Sequence, residues 1–246
     1  MKQTKLCGAL VIPAICMMAS AAQAAMTTVV GFDGGTDGGF MGNAFFEPAG
    51  GNPGGVAHTD GLIEFPSLRT GSIGEPANPA FLGDYSGFTN VTFSVDVKTT
   101  SILDFFGSQT SRPFGVMLID RDIQGTDGPS GVFFELGNLD VNINPDWTTY
   151  SVTIANPASA TLPAGWIGFG STNLQTFEPE LPDGATFASV LAGVDEFQIS
   201  GAVPGFFFGP VTADYHMDNI SVTVPEPASL ALLGVGLLAF VRRRAR

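Results

Sequence analysis

A strictly alternating stretch at residues 89–98 limits the fold of this chain more than any other feature of its sequence. Apolar side chains occupy one parity of the stretch and polar side chains the other. The apolar set is Val91, Phe93, Val95 and Val97, and the polar set is Thr92, Ser94, Asp96 and Lys98. Because successive side chains of a strand point to opposite faces of a sheet, this pattern predicts a strand with one buried face and one face in water.

Short apolar stretches recur along the chain, separated by turns rich in glycine. About ten such strands predict an all-β domain, a jelly-roll-like two-sheet antiparallel β-sandwich. Residues 186–192 are the one segment of this domain predicted to be helical, with Gly193 ending the helix. Residues 203–208 are predicted to form a strand buried on both faces, because three consecutive phenylalanines cannot share one face. An exposed aromatic platform is the alternative for them.

The C-terminal stretch reads differently from the rest of the chain. Residues 228–241 carry no charge, and the motif Pro225, Glu226, Pro227 precedes them. A helix of this length spans about 20 Å, against about 30 Å for a bilayer core. The prolines separate the apolar run from the strand before it. We therefore expect a short transmembrane helix, stopped on its cytoplasmic side by Arg242, Arg243, Arg244 and Arg246.

This three-part tail resembles the PEP-CTERM sorting signal of Gram-negative bacteria. The resemblance implies that an exosortase recognises the tail and removes it, so that the chain is only transiently anchored in the inner membrane. It also implies transfer to the cell surface or the extracellular space. An ordinary short C-terminal anchor is the alternative interpretation.

The N-terminus predicts export independently. Lys2 and Lys5 precede an apolar stretch, and Ala22-Gln23-Ala24 is a cleavage pattern for signal peptidase. The expected organisation is a helical signal peptide at 1–24, a β-sandwich domain at 25–223 and a sorting signal at 224–246. Both cysteines, Cys7 and Cys16, lie in the signal peptide, so the mature chain has no disulfide framework.

The charge balance of the domain excludes one class of partner. It holds four Lys and Arg residues against 22 Asp and Glu residues, a formal charge of −18. Such a surface repels nucleic acid, so we expect no nucleic-acid partner. The same excess of carboxylates favours solubility and cation binding.

Three short segments of the domain resemble laminin B and carbohydrate-binding-module jelly rolls, which are galactose-binding-like sandwiches. They are Phe81-Leu82-Gly83-Asp84, Trp147-Thr148-Thr149-Tyr150 and Met217-Asp218-Asn219-Ile220. The resemblance implies a domain of adhesive or glycan-binding character. It also implies that a structural calcium ion ties the first strand to the last.

Asp218 is the most informative acidic residue of the sequence. In a strand at 214–224 it shares parity with Ile220 and Val222, and so should face the core. A buried carboxylate needs a partner, and Lys and Arg are scarce in this domain. Structural Ca²⁺ would satisfy it, with Asp33 after the first strand as the second ligand. The alternatives are a β-bulge that reverses the parity, or hydrogen bonds from the backbone.

No motif for catalysis is present. His58 and His216 are far apart in sequence, and no nucleophile, zinc-protease or phosphate-loop pattern occurs. Trp147 and Trp166 are candidates for stacking on sugar rings, with core packing as the alternative. We expect a non-enzymatic surface or extracellular-matrix protein associated with exopolysaccharide. The alternatives are a carbohydrate-binding module with a defined glycan site and, last, a secreted glycan hydrolase.

Overall fold

The computed structural model describes residues 25–225, which form one compact β unit. The predicted signal peptide and residues 226–246 lie outside the described residues. Within residues 25–225, no helix is long and apolar enough to cross a membrane. The strands are β1 Ala25–Val30, β2 Met41–Gly42, β3 Phe45–Gly51, β4 Gly54–Ile63, β5 Ser67–Thr70, β6 Val91–Leu103, β7 Arg112–Gln124, β8 Pro129–Leu139, β9 Thr148–Ile154, β10 Trp166–Phe169, β11 Ser171–Thr172, β12 Pro179–Glu180, β13 Glu196–Ser200 and β14 Val211–Pro225.

Two antiparallel sheets form a sandwich, which confirms the predicted all-β fold class. The first sheet has the order β3-β4-β14-β6-β9, with β1 also paired to β14. The second has the order β10-β8-β7-β13-β5-β2, and β11 and β12 form a separate pair. The helical elements are the short α1 Phe187–Leu191 and two 3₁₀ turns, Asp33–Gly35 and Pro79–Phe81.

The alternating stretch behaves as predicted. Val91, Phe93, Val95 and Val97 are fully buried. Phe93 of the first sheet stacks on Phe197 of the second, with ring centroids 5.3 Å apart. Each fully buried side chain of this size stabilises the fold by about 1.5–3 kcal/mol. The core between the sheets therefore follows from the parity of the strands.

The predicted helix is also present. Thr186 caps it, because its side chain accepts a hydrogen bond from the Ser189 N–H while the Ser189 hydroxyl accepts one from the Thr186 N–H. This reciprocal capping box satisfies two of the free donors at the start of the helix. The helix buries Phe187, Val190 and Leu191 in the core.

The prediction of a buried strand at 203–208 is wrong. The segment is a turn and loop in which Phe206 and Phe207 are exposed. Val203 is buried, and Phe208 is partly buried. They pack on the outer face of the second sheet, with Met117, Ile119 and Phe133. The loop therefore covers that face instead of adding a strand to it.

The last strand runs one residue further than its predicted end at Val224. β14 ends at Pro225, which pairs with Ala25 at the start of β1. The first residue after the predicted signal-peptidase cut thus lies beside the first proline of the sorting motif.

Candidate cation site on the outer face of the first sheet

The outer face of the first sheet carries polar side chains along β14. Asp214 and His216 are half-buried there, whereas Tyr215 and Met217 are buried in the core. The pairing of β14 with β6 shifts register between Asp218 and Ser221. Asn219 lies in the left-handed region with φ of 48° at this bulge. A bulge of this kind inserts an extra residue and reverses which face the following side chains occupy.

The bulge corrects the predicted orientation of Asp218. It lies on the outer face with His216, and Ile220 points to the core. Asp218 is nevertheless 0 % exposed. The turn between β3 and β4 closes over it, since the Asn52 N–H donates to its Oδ2. The Asn219 N–H donates to its Oδ1 at 2.7 Å.

We call the group of polar side chains around Asp218 the acidic pocket. Asp96 of β6 forms its inner wall. Its carboxylate accepts hydrogen bonds from the side-chain amide of Asn52 at 3.1 Å and from that of Asn219 at 2.9 Å. The Thr149 hydroxyl donates to its other oxygen. These three donors satisfy the carboxylate of Asp96. Asp96 in turn holds the side chains of Asn52 and Asn219 next to Asp218.

Asp33 reaches the same pocket from the end of β1. Its Oδ1 accepts a hydrogen bond from the Gly55 N–H at 3.2 Å. Three side-chain oxygens lie close to Gly31. The position that a Cβ on Gly31 would take lies 3.5 Å from Asn219 Oδ1, 3.7 Å from Asp218 Oδ1 and 3.9 Å from Asp33 Oδ2. The fold therefore brings Asp33 and Asp218 together, beside Asn219, which the sequence did not indicate as a ligand.

The electrostatics of the pocket favour a cation. Burial raises the pKa of Asp218 above its ordinary value, and Asp96 and Asp33 raise it further, while the N–H groups of Asn52 and Asn219 oppose the rise. Within residues 25–225, the ion pairs of arginine join Arg69 to Glu75 and Arg121 to Glu196, not to this pocket. An all-oxygen donor set of carboxylates and an amide suits a hard cation such as Ca²⁺.

The two tryptophans occupy different environments. Trp166 is 8 % exposed, and its ring packs against Phe134 and Phe187. This burial agrees with core packing, the alternative given for Trp166. Trp147 is half-buried just before β9, with its ring edge-on to His216 at 6.3 Å. It remains on the open face of the first sheet.

Sequence reasoning missed the two histidines. Their separation in sequence hides that His58 of β4 lies directly opposite His216 of β14. The rings stack with centroids 4.1 Å apart and an angle of 7°. Burial lowers the pKa of His216, and His58 lowers it further. Burial also acts to lower the pKa of His58, but its hydrogen bonds to Glu47 and Asp214 outweigh this and raise it.

Residues 223–245 match the PEP-CTERM protein-sorting motif. The chain therefore carries the predicted sorting signal, and this motif implies export to the cell envelope or surface with exosortase-dependent processing. Pro225 is the one member of the Pro-Glu-Pro motif within the described residues, and it ends β14. Glu226, Pro227 and the terminal arginines lie outside them, as does the predicted transmembrane helix.

No curated protein matches the chain. Among solved structures, it is similar to the C-terminal family 22 carbohydrate-binding module of Clostridium thermocellum Xyn10B, at 12% identity and TM-score 0.43, over 81% of this chain and 94% of that one. An exo-β-agarase is similar at 13% identity and TM-score 0.46, over 82% of this chain and 25% of that one. A carbohydrate esterase of the Shiga toxin-encoding bacteriophage phi24B is similar at 11% identity and TM-score 0.40, over 81% and 100%.

Proposed function

Because the chain carries a PEP-CTERM sorting signal, we propose that it is a non-enzymatic protein of the cell surface or extracellular matrix that associates with exopolysaccharide. Signal peptidase removes residues 1–24, and the C-terminal helix holds the chain in the inner membrane until an exosortase removes the tail. The exported domain is a β-sandwich that a structural Ca²⁺ ion stabilises. The observation that carries this last step is the set of three oxygens at Gly31.

The donors of this set come from three parts of the chain. Asp33 follows β1, Asp218 and Asn219 belong to β14, and the Asn52 turn between β3 and β4 closes over them. A cation among these oxygens would offset the repulsion between Asp33 and Asp218 and would hold the first strand to the last. Asp33, Asp218 and Asn219 are the residues that would hold the ion. When bound, it supplies charge neutralisation and a cross-link, and no chemical step.

The charge of the domain agrees with this role. At −18, the domain would repel an acidic polysaccharide directly, so association with one needs cations between the two surfaces. Calcium in the extracellular medium would supply them. Calcium would then support both the stability of the fold and its association with the matrix.

Thermal unfolding of the full chain in mild detergent tests the calcium site. Since a ligand that binds only the folded state stabilises it by RT ln(1 + [L]/Kd), calcium at about 100 times its Kd adds about 2.7 kcal/mol. We expect the wild-type Tm to rise with calcium and fall with EDTA, and Asp218→Asn to abolish the response. Asp60→Asn is the matched control, because Asp60 is an exposed carboxylate on the same sheet. An identical wild-type Tm in calcium and in EDTA would rule the site out.

Mass spectrometry of the protein isolated from its cells tests the sorting steps separately. We expect a mature N-terminus at Ala25 and a C-terminus near Pro225. Replacing Pro225 and Pro227 with alanine should leave the tail attached and the protein in the inner membrane. A wild-type protein that keeps residues 228–246 at the cell surface would contradict exosortase processing of this chain.

A defined glycan site is the second candidate function, and the half-buried Trp147 favours it. Its ring lies on the open face, beside His216 and within reach of solvent. A glycan array probed with the full chain should then show selective binding that Trp147→Ala abolishes. Trp166→Phe is the control, since that ring is buried. An array without selective binding would favour the structural role alone.

A further inference from the structure

We propose a second metal site on the same face, in which His58, Asp214 and His216 bind a first-row divalent cation of the zinc type. One ligand atom from each of these residues lies within 4.8 Å of the other two. The site differs in chemistry from the acidic pocket around Asp218. Two imidazole nitrogens and one carboxylate select borderline metals such as Zn²⁺ over Ca²⁺.

The spacing of the ligand atoms already suits such an ion. His58 Nε2 lies 3.1 Å from Asp214 Oδ1. Two ligands of a tetrahedral zinc ion with bonds of about 2.0–2.1 Å are about 3.3 Å apart. His58 and Asp214 would therefore need little movement to bind one metal ion. The pairing of β4 with β14 fixes this geometry, since the His58–His216 pair lies two residues along the ladder from the Asp60–Asp214 pair and therefore on the same face.

The hydrogen bonds of His58 call for a positive charge on its ring or between its ring and Asp214. Its Nδ1 lies 2.9 Å from Glu47 Oε1 and its Nε2 lies 3.1 Å from Asp214 Oδ1. A neutral imidazole has one N–H donor and cannot satisfy two carboxylates. Either both ring nitrogens carry a proton, or a metal ion takes the place of the proton on the Asp214 side. In the second case Glu47 acts as the carboxylate that orients a metal-bound histidine.

His216 provides the third ligand and has a nitrogen to spare. Among the described residues, its Nδ1 is shielded from solvent and has no hydrogen-bond partner. A buried polar atom without a partner costs stability, so this ring gains from any partner. The two rings are nearly parallel, so the nitrogen lone pairs, which lie in the ring planes, do not converge on one point. The His216 ring must therefore turn about its Cβ–Cγ bond to direct a nitrogen at the ion. The flanking charges are Glu47 and Asp60 on one side and Lys98 on the other.

Zinc titration of the full chain tests this site. The titration uses chelator-treated protein in a Cys7→Ser, Cys16→Ser background, so that no thiolate competes for the metal. We expect one Zn²⁺ per chain by calorimetry, and a tetrahedral ligand-field spectrum with Co²⁺. His216→Gln and Asp214→Asn should each abolish stoichiometric binding. Glu47→Gln should weaken it by about 10–100-fold, the usual effect of losing an orienting partner.

Two controls separate a built site from general attraction to an acidic surface. Asp60→Asn removes one charge directly opposite Asp214 and should leave zinc affinity unchanged. Asp218→Asn should also leave it unchanged, which separates this site from the calcium proposal. Should a ligand variant lose its native circular dichroism signal, Glu47→Gln decides, because that side chain is 45% exposed and tolerates the change.

Absence of wild-type binding would overturn the proposal. Equal affinity in wild type and His216→Gln would do so too, and so would a loss in Asp60→Asn as large as that in Asp214→Asn.

Discussion

The outer faces of the two sheets differ in whether the chain itself covers them. That of the second sheet is apolar at its centre, and the chain's own loop covers it, with Val203 packed on Met117, Ile119 and Phe133. That of the first sheet is polar and carries the histidine pair and the acidic pocket along β14. An apolar face that a loop of the chain covers contributes to the stability of the fold. An uncovered face that carries partly buried polar groups is available to ligands.

The largest expected difference between the faces is in truncation of an aromatic side chain. Phe133→Ala on the covered face should cost about 3–5 kcal/mol of unfolding free energy, because it leaves a cavity in a fully buried cluster. Trp147→Ala on the open face should cost clearly less, since its ring is only half-buried. Urea denaturation measures both. Equal losses would mean that the open face is as much a part of the core as the covered one.

The next largest loss of stability is expected at Gly55, where two backbone segments beside the acidic pocket lie in close contact. A Cβ on Gly55 would overlap the carbonyl oxygen of Phe32. Gly55→Ala should therefore cost about 1–3 kcal/mol, the range for overpacking, and weaken any calcium response by displacing the N–H that binds Asp33. Gly87→Ala is the control, since nothing lies within 4 Å of its Cβ position. A fully stable Gly55→Ala variant would show that the pocket can shift freely.

The loop at residues 201–210, which covers the outer face of the second sheet, should depend on one arginine for its position. Arg112 donates to the Gly209 carbonyl at 2.9 Å, and its guanidinium lies 5.6 Å from the centre of the Phe208 ring. Arg112→Met keeps the apolar stem but loses both interactions, at a cost of about 1–2 kcal/mol. Faster proteolysis within residues 201–210 would show the loop loosening. Unchanged proteolysis and stability would mean that Val203 alone holds the cover in place.

The smallest expected effect is a change of stability with pH at Asp120. Burial raises its pKa, the N–H groups of Asp122 and Ile123 oppose this, and the charges of Asp195 and Asp122 raise it further. Ionised Asp120 therefore costs stability above the raised pKa, and the cost vanishes below the ordinary value near 4. Asp120→Asn keeps a carbonyl oxygen for both N–H groups and removes the charge. It should be more stable than wild type at pH 7 by less than about 1 kcal/mol, with the difference closing towards pH 4. A difference that grows on acidification would contradict this assignment.

Some of these features follow from the sequence alone. The parity of Val91, Phe93, Val95 and Val97 dictates which face is buried, whatever the topology. The capping residues around Thr186 act locally, so the helix follows from them. Both depend on neighbours in the sequence, and the structure confirms both.

Other features depend on pairing between distant strands, which the sequence does not specify. The stacking of His58 on His216 requires the register of β4 on β14. Asp218 is buried as predicted, but the left-handed Asn219 turns it to the opposite face from the one its parity indicates. The three phenylalanines at 206–208 carry a strand-like composition, yet their loop packs across a sheet instead of pairing with it.

Equilibrium dialysis with calcium tests most directly whether the open face of the first sheet binds cations at a built site. The full chain, with and without Asp218→Asn, is dialysed against a calcium series at physiological salt. We predict one tightly held Ca²⁺ per wild-type chain, none in Asp218→Asn and one in the Asp60→Asn control. Equal calcium retention by wild type and Asp218→Asn, or none by wild type, would contradict the account.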